Sequence, residues 1–429
     1  MPGTSTQEHL RGQGANQELW FQFYNFDLYY LDQMVVLAKE NVNIDLYYLD
    51  QMVVLAKENV NIDLYYLDQM VVLAKENVNI DLYYLDQMVV LAKENVNIDL
   101  YYLDQMVVLA KENCFMNSVI QCLSNTKPLL EYLLSEKHLS DINTSVSSMK
   151  GALIKAFSQV IQELWKVEHD GVVNTTALKS QIQRFAPRFM GYNQQDAQEF
   201  LRYLLEGLHE DVNRIPCKPK PILTDKAEES WKRYLRMDDS KIVDLFVGQL
   251  KSTLRCSSCG HCSITFDPFW DLSLPIPSRT GQLRLQQCLD HFTKEEVLDG
   301  DEKPTCSKCQ VRRKCIKSFT IQKFPKILVL HIKRFSPLER FRGKLSVIVD
   351  FPLSGLDLNA YASNKGSSCC YNLYGVANHS GTTYSGHYTA SCKHPYTGDW
   401  HEYNDSRVSS ISSRSVVSSE AYLLFYELS

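Results

Sequence analysis

The sequence predicts an α+β protein carrying an unrelated repeat near its start, and three observations carry that reading. Between Cys114 and Val212, apolar residues recur at helical spacing. From Val243 onward, short runs rich in Val, Ile, Leu and aromatic residues read as strands. Helices first and strands later give an α+β fold, with the early helices free to pack against the later sheet. The third observation is an 18-residue unit, beginning at Asp27, that recurs letter for letter.

Taken in order, residues 1–26 form an N-terminal tail: a polar stretch to Glu18, then the aromatic run Leu19 to Phe26. Residues 27–113 are the repeats, with copies starting at Asp27, Asp45, Asp63, Asp81 and Asp99 and the last breaking off at Asn113. Eighteen residues make five helical turns, so a continuous helix would show the same face each period. The apolar positions nevertheless spread nearly all round the wheel and leave no clean stripe. Stacked short strands, one repeat per rung, are the competing reading. The array lacks divergent polar caps, and its perfect identity points to a recent tandem duplication or an assembly fault rather than a selected solenoid.

After the repeats, Phe115, Met116, Val119, Ile120 and Leu123 share one helical stripe beginning at Cys114. Met149 to Val167 aligns Leu153, Phe157, Val160, Ile161 and Leu164, and a further helix spans Thr176 to Phe185, ahead of Pro187. Asp196 to Val212 is the next helix, with Phe200, Leu201, Leu204, Leu205 and Leu208 on its apolar face. Lys218 to Glu229, with prolines and charges, reads as a surface loop. Strands are expected at Ile327 to Ile332, Leu373 to Ala377, His387 to Cys392 and Tyr422 to Tyr426.

Composition bounds the function. A chain 45% hydrophobic and 22% charged, with net charge −5, lacks the basic balance of a nucleic-acid binder. Apolar runs such as Met34-Val35-Val36-Leu37-Ala38 are too short to span a bilayer, so no membrane partner is expected. The polar start carries no secretory signal, and 13 cysteines then suggest reduced thiols used for metal binding or catalysis. A cytoplasmic, and also nuclear, location follows as the expectation.

Two cysteine patterns carry chemistry. Cys114 opens a helix, where the positive end of the dipole favours the reactive thiolate. Downstream come Gly386-His387-Tyr388 at a strand start and Tyr403-Asn404-Asp405-Ser406 at a strand end. Cys, His, then Asn or Asp is the order of a papain-like thiol protease: the imidazole takes the thiol proton and the amide or carboxylate orients the imidazole. Separately, Cys256-Ser257-Ser258-Cys259 and Cys306-Ser307-Lys308-Cys309 are two C-x-x-C knuckles able to close one structural four-sulfur zinc site. Cys262 and Cys315 are spare ligand candidates, and His261 a weaker one. Asp196 and Glu199 fall in the first turn of their helix, which suits either capping or an acidic lip that grips a basic peptide.

These residues, with Cys114-Phe115-Met116-Asn117-Ser118, Gln194-Gln195-Asp196-Ala197-Gln198-Glu199-Phe200 and Leu328-Val329-Leu330-His331-Ile332-Lys333-Arg334-Phe335, resemble the ubiquitin-specific protease family. Asp244-Leu245-Phe246-Val247-Gly248-Gln249-Leu250 and Phe269-Trp270-Asp271-Leu272-Ser273-Leu274-Pro275 bring the likeness closest to type 2 and next to type 21. The likeness covers residues 114–429 and implies their identity as the catalytic domain of a deubiquitinase. It implies a right-hand architecture: a helical thumb, a β-rich palm and zinc-bearing fingers that grasp ubiquitin. Ubiquitin and ubiquitinated proteins are the implied partners and one structural zinc ion the implied cofactor. Cys114 would be the nucleophile, His387 the proton carrier and Asn404 its orienting partner, with Asp405 behind. Asp196 would meet an arginine of the ubiquitin tail. The chain departs from the family at one place. Family members carry Gly-Asn-Thr just before the cysteine and an oxyanion-donating asparagine five residues upstream, where this chain has Leu109. Asn113 lies next to the nucleophile but is not aimed at the oxyanion by default. A weakened enzyme is therefore expected, with a catalytically impaired ubiquitin-binding module as the alternative.

Overall fold

The computed structural model describes residues 114–165, 173–189, 194–216, 227–278, 282–335, 343–364, 369–382 and 386–429, together with strands between residues 17 and 108. The chain divides into two compact units, Met1–Glu112 and Asn113–Ser429.

In the first unit the repeats form parallel strands rather than a helix. One sheet stacks Leu31–Ala38, Leu49–Ala56, Leu67–Ala74, Leu85–Ala92 and Leu103–Val108, joined by Gln17–Glu18 at one edge. A second stacks Asn25–Leu28, Val42–Leu46, Val60–Leu64, Val78–Leu82 and Val96–Leu100. Register follows the period: Met52 pairs with Met70, and Asn61 with Asn79. Residues that distribute all round a helical wheel gain nothing from a helix. The Val-Val and Val-Asn-Ile runs instead favour extended backbone, and each rung finds an identical neighbour.

In the second unit the helices gather around Cys114–Ser124, which is buried along almost its whole length. Phe115 packs edge-on to Phe200, with ring centroids 5.3 Å apart, and Phe189 joins the same aromatic cluster. This ties the helix Cys114–Ser124 to Ala197–Asp211. Full burial of one such side chain contributes about 1.5–3 kcal/mol. The helices Ala152–Leu164 and Thr176–Phe185 complete the layer. The first is shorter at both ends than its apolar period suggests.

Two expectations are corrected here. Ala227–Leu235 is a helix, so the surface-loop reading of Lys218 to Glu229 fails at its last three residues; positions 218–226 lie outside the described residues. Strands do not begin at Val243, which belongs to the short helix Lys241–Phe246 capped by Ser240; the first strand is Gly248–Cys256. Six residues, Lys241 to Phe246, are too few for periodicity to tell helix from strand.

The main sheet runs in the order Leu272–Pro275, Ile327–Lys333, Ala421–Leu428, Cys370–Gly381, Gly386–Lys393, Trp400–Asn404, Arg407–Ile411. Only its first pair is parallel. The central strands are apolar on both faces because both are covered: Val329, Ala377, Leu423 and Phe425 join the helical core, while Leu328, Val376, Leu424 and Tyr426 join a second core. A separate sheet orders Cys262–Phe269, Gly248–Cys256, Cys315–Lys323 and Glu296–Leu298. The helix Cys114–Ser124 packs directly on Gly386–Lys393, bringing residues more than 250 positions apart together.

Candidate active site

Cys114 stands in the first turn of its helix, 7% exposed, with its thiol beside His387 and acting on that ring's proton affinity. His387 is the second residue of Gly386–Lys393, and its Nε2 lies 2.7 Å from Oδ1 of Asn404, the last residue of the adjacent strand. An amide oxygen at that distance accepts, so Nε2 carries the proton and Nδ1 is left to face the thiol. The strand bearing Asn404 turns back tightly: Asn404 pairs with Arg407 across the two-residue loop Asp405-Ser406, and Asp405 adopts φ 49°. Asp and Asn tolerate this left-handed region best among residues with a side chain. Asp405 Oδ2 sits 3.9 Å from His387 Nε2, and its Oδ1 accepts from Asn117 Nδ2 at 3.0 Å. The carboxylate therefore supplies charge behind the imidazole while Asn404 makes the short contact.

His387 is held well above the ordinary histidine range, at about 9. The hydrogen bond to Cys114 is the largest cause, and the one to Asn404 and the charges of Cys114 and Asp405 add to it; partial burial opposes them. Thiol, imidazole and amide are thus arranged so that a proton can pass from sulfur to ring, leaving a thiolate beside an imidazolium.

Asp196 caps Ala197–Asp211: its Oδ1 accepts from the backbone N–H groups of Gln198 at 2.8 Å and Glu199 at 3.1 Å. Its Oδ2 accepts from the hydroxyl of Tyr422 at 2.5 Å. Glu199 is ion-paired with Arg188. Asp196 therefore serves as a helix cap and Glu199 as an ion-pair partner, so both acids are engaged within the fold. Leu109 and Asn113 lie outside the described residues.

Cys256, Cys259, Cys306 and Cys309 come together with their sulfur atoms all within 4.8 Å of one another. The 3.7 Å between Cys259 Sγ and Cys306 Sγ matches the roughly 3.8 Å edge of a tetrahedron with Zn–S bonds of about 2.3 Å. The donor set therefore fits zinc. Each pair sits in a turn beside the second sheet, and Cys256 is opposite Cys315 in the register. Cys315 is buried beside the cluster and Cys262 is exposed, but neither joins the four; the His261 ring is hydrogen-bonded to Ser307 at 2.9 Å.

Three partners in this site carry no sequence signature as pairs: Asn117 on Asp405, Tyr422 on Asp196, and Gln194 on the backbone of Gly386. Gln194 and its partner are 192 residues apart. The only local signal is a polar side chain in a turn before a helix.

A helix-borne thiol set against a strand-borne histidine and asparagine, on an α+β scaffold, places the unit among papain-like folds. The chain belongs to the ubiquitin carboxyl-terminal hydrolase family, whose model matches residues 107–426. It is 55% identical over 324 residues to ubiquitin carboxyl-terminal hydrolase 2 of Rattus norvegicus, covering 73% of this chain and 52% of that protein. Identity to the Homo sapiens hydrolase 2 is 54%, with 73% and 53% covered, and to Homo sapiens hydrolase 21 it is 45%, with 73% and 60% covered. The chain spans about half the length of these Rattus norvegicus and Homo sapiens type 2 relatives. Among solved structures, the SAGA DUB module bound to monoubiquitin contains a chain similar at TM-score 0.59 and 30% identity, with 74% of this chain and 67% of that one covered. The same module bound to ubiquitin aldehyde gives 0.59 and 32%, with 74% and 68% covered.

Proposed function

We propose that the chain is a thiol-dependent deubiquitinase that hydrolyses isopeptide and peptide bonds after the C-terminal glycine of ubiquitin. The contact of Cys114 with His387, backed by Asn404 at 2.7 Å, is the observation that carries the reading. His387 takes the Cys114 proton on Nδ1, and the thiolate attacks the glycine carbonyl carbon. The imidazolium then gives its proton to the leaving amine, a thioester remains on Cys114, and water activated by His387 releases ubiquitin. At the start of a helix the first backbone N–H groups have no intrahelical acceptor, and that of Cys114 is available to the developing oxyanion.

The layered helices serve as thumb, the main sheet as palm, and the sheet with the four cysteines as fingers around ubiquitin. One zinc ion held by Cys256, Cys259, Cys306 and Cys309 supplies a closed structural cross-link, and the chemistry stays at Cys114. Asp196, with Glu199 beside it, faces the basic tail of ubiquitin while also capping its helix. Ubiquitin and ubiquitinated proteins are the partners. No helix among the described residues is long and apolar enough to cross a membrane, and a cytoplasmic and nuclear location is part of this reading. Residues 114–429 form the catalytic domain and residues 27–113 an insertion that does not serve it.

Leu109 favours a second reading, a ubiquitin-binding module with impaired turnover, since removing one oxyanion donor costs roughly 10²–10³-fold in rate. Hydrolysis of a fluorogenic amide of ubiquitin's C-terminus separates the two. The first reading expects turnover that Cys114→Ala abolishes. Turnover no higher than that of Cys114→Ala, with ubiquitin still bound, establishes the second.

A further inference from the structure

We propose that Gln194 is a positioning residue for His387, acting through the backbone of Gly386. The Gly386 N–H donates to Gln194 Oε1 at 3.1 Å, and Gln194 Nε2 donates back to the Gly386 carbonyl. One side-chain amide thus satisfies both backbone groups of the residue preceding His387, as a neighbouring strand would.

The sheet needs such a substitute at this point. On one side the histidine strand is paired from its first residue, Gly386 opposite Gly381. On the other side, pairing with Trp400–Asn404 begins at Ala390 opposite Tyr403. That neighbour ends at Asn404, whose side chain turns onto the imidazole. The N–H and C=O of Gly386 both point toward this unpaired side, where Gln194 meets them. Gly386 cannot be fixed by a side chain of its own: a Cβ there would lie 2.2 Å from His379 Nε2 and 2.8 Å from the Ser380 carbonyl oxygen. The next residue is held from the opposite edge, since the His387 carbonyl accepts from Ser380 Oγ at 3.3 Å. Successive peptide groups are therefore gripped from opposite sides, and the imidazole between Cys114 and Asn404 inherits the resulting placement. A displacement of about 1 Å in such a group costs roughly 10²-fold in rate.

The inference rests on Cys114 and His387 acting as a pair, and its test has a readout independent of turnover. In the full chain, the His387 ring titration is followed by NMR in the wild type, in Gln194→Ala and in Gln194→Glu. The rate of Cys114 alkylation by iodoacetamide is measured alongside. Gln194→Ala is expected to move the His387 midpoint down toward the ordinary histidine range and to slow alkylation at neutral pH roughly tenfold. It should also lower kcat roughly 10–100-fold with KM nearly unchanged. Gln194→Glu keeps an acceptor for the Gly386 N–H but loses the donor, so its effects should be intermediate. A Gln194 that only ties down its own loop would alter thermal stability and leave the titration where it is. A wild-type His387 titration and alkylation rate in folded Gln194→Ala overturn the proposal; if that variant does not fold, the same result in Gln194→Glu does so. A wild type without turnover would count against the deubiquitinase reading, while the titrations still decide the role of Gln194.

Discussion

At His387, burial and hydrogen bonding oppose each other, and hydrogen bonding wins. The ring is held at about 9 against an ordinary 6.5. A folded-state value raised in this way stabilises the fold fully below about pH 6.5, and the contribution is lost as pH rises through about 9. In the proposed mechanism the same proton serves the leaving amine, so kcat/KM should fall as pH rises through about 9, a limb that a pH–rate profile on a ubiquitin amide would reveal. Asn404→Ala removes one cause of the shift. It should bring that limb to lower pH and reduce turnover by roughly 10²-fold, with little change in melting temperature. Asp196 needs a finer test because it does two things. Asp196→Asn keeps a capping oxygen and discards the charge, whereas Asp196→Ala discards both. Loss of the cap should cost about 1 kcal/mol in urea denaturation for Ala only. A KM raised in both variants would tie the charge to the basic ubiquitin tail, and a KM raised in neither would leave Asp196 as a cap alone.

Among the elements, Asp211 joins the end of one helix to the start of another in the helical layer. It is fully buried and accepts from Ser147 Oγ at 2.5 Å and from the backbone N–H groups of Gly151 at 2.9 Å and Ile154 at 2.8 Å. The last two are at the start of Ala152–Leu164, where the helix dipole favours an anion. Asp211→Ala leaves three buried donors without that acceptor and should cost about 3 kcal/mol or more, read as a lower urea midpoint. Elements of this layer were legible in the sequence wherever a long apolar period met a clear boundary. Thr176–Phe185 stops before Pro187, and Ala197–Asp211 starts on its Asp196 cap. Lys241–Phe246 was not legible as a helix, because six residues carry too little periodicity, and Leu285–Thr293 lies among strands where nothing singled it out. The same contrast holds in the site. Cys114, His387 and the four clustered cysteines announce themselves by residue type and spacing. Gln194 does not, because its partner is a backbone amide, and every residue but proline offers one of those.

For the whole molecule, the four cysteines gather beside the second sheet, with Cys256 at the end of Gly248–Cys256 and the other three in the connections between its strands. The proposed metal would therefore govern how the proposed fingers are held rather than what happens at Cys114. Elemental analysis should find one zinc per chain, and Cys306→Ser should abolish it. That variant should raise KM for ubiquitin substrates more than it lowers kcat, with Cys114 alkylation near the wild-type rate. The other unit follows a different logic. Each rung pairs with rungs that repeat it residue for residue, Val53 with Val71 and Val71 with Val89. Interior rungs are interchangeable, so the array has no intrinsic length. Inserting or removing one unit changes no pairing between those that remain, and because a unit is a whole number of codons, the reading frame into Cys114 survives. Strand slippage during DNA replication would thus meet little resistance from the protein. Individuals of the source species should differ here by whole multiples of 18 residues, visible as a ladder of product lengths when the region is amplified. A single fixed length, or transcripts reading Gly-Asn-Thr directly into the cysteine, would show that the array is not a living part of the gene.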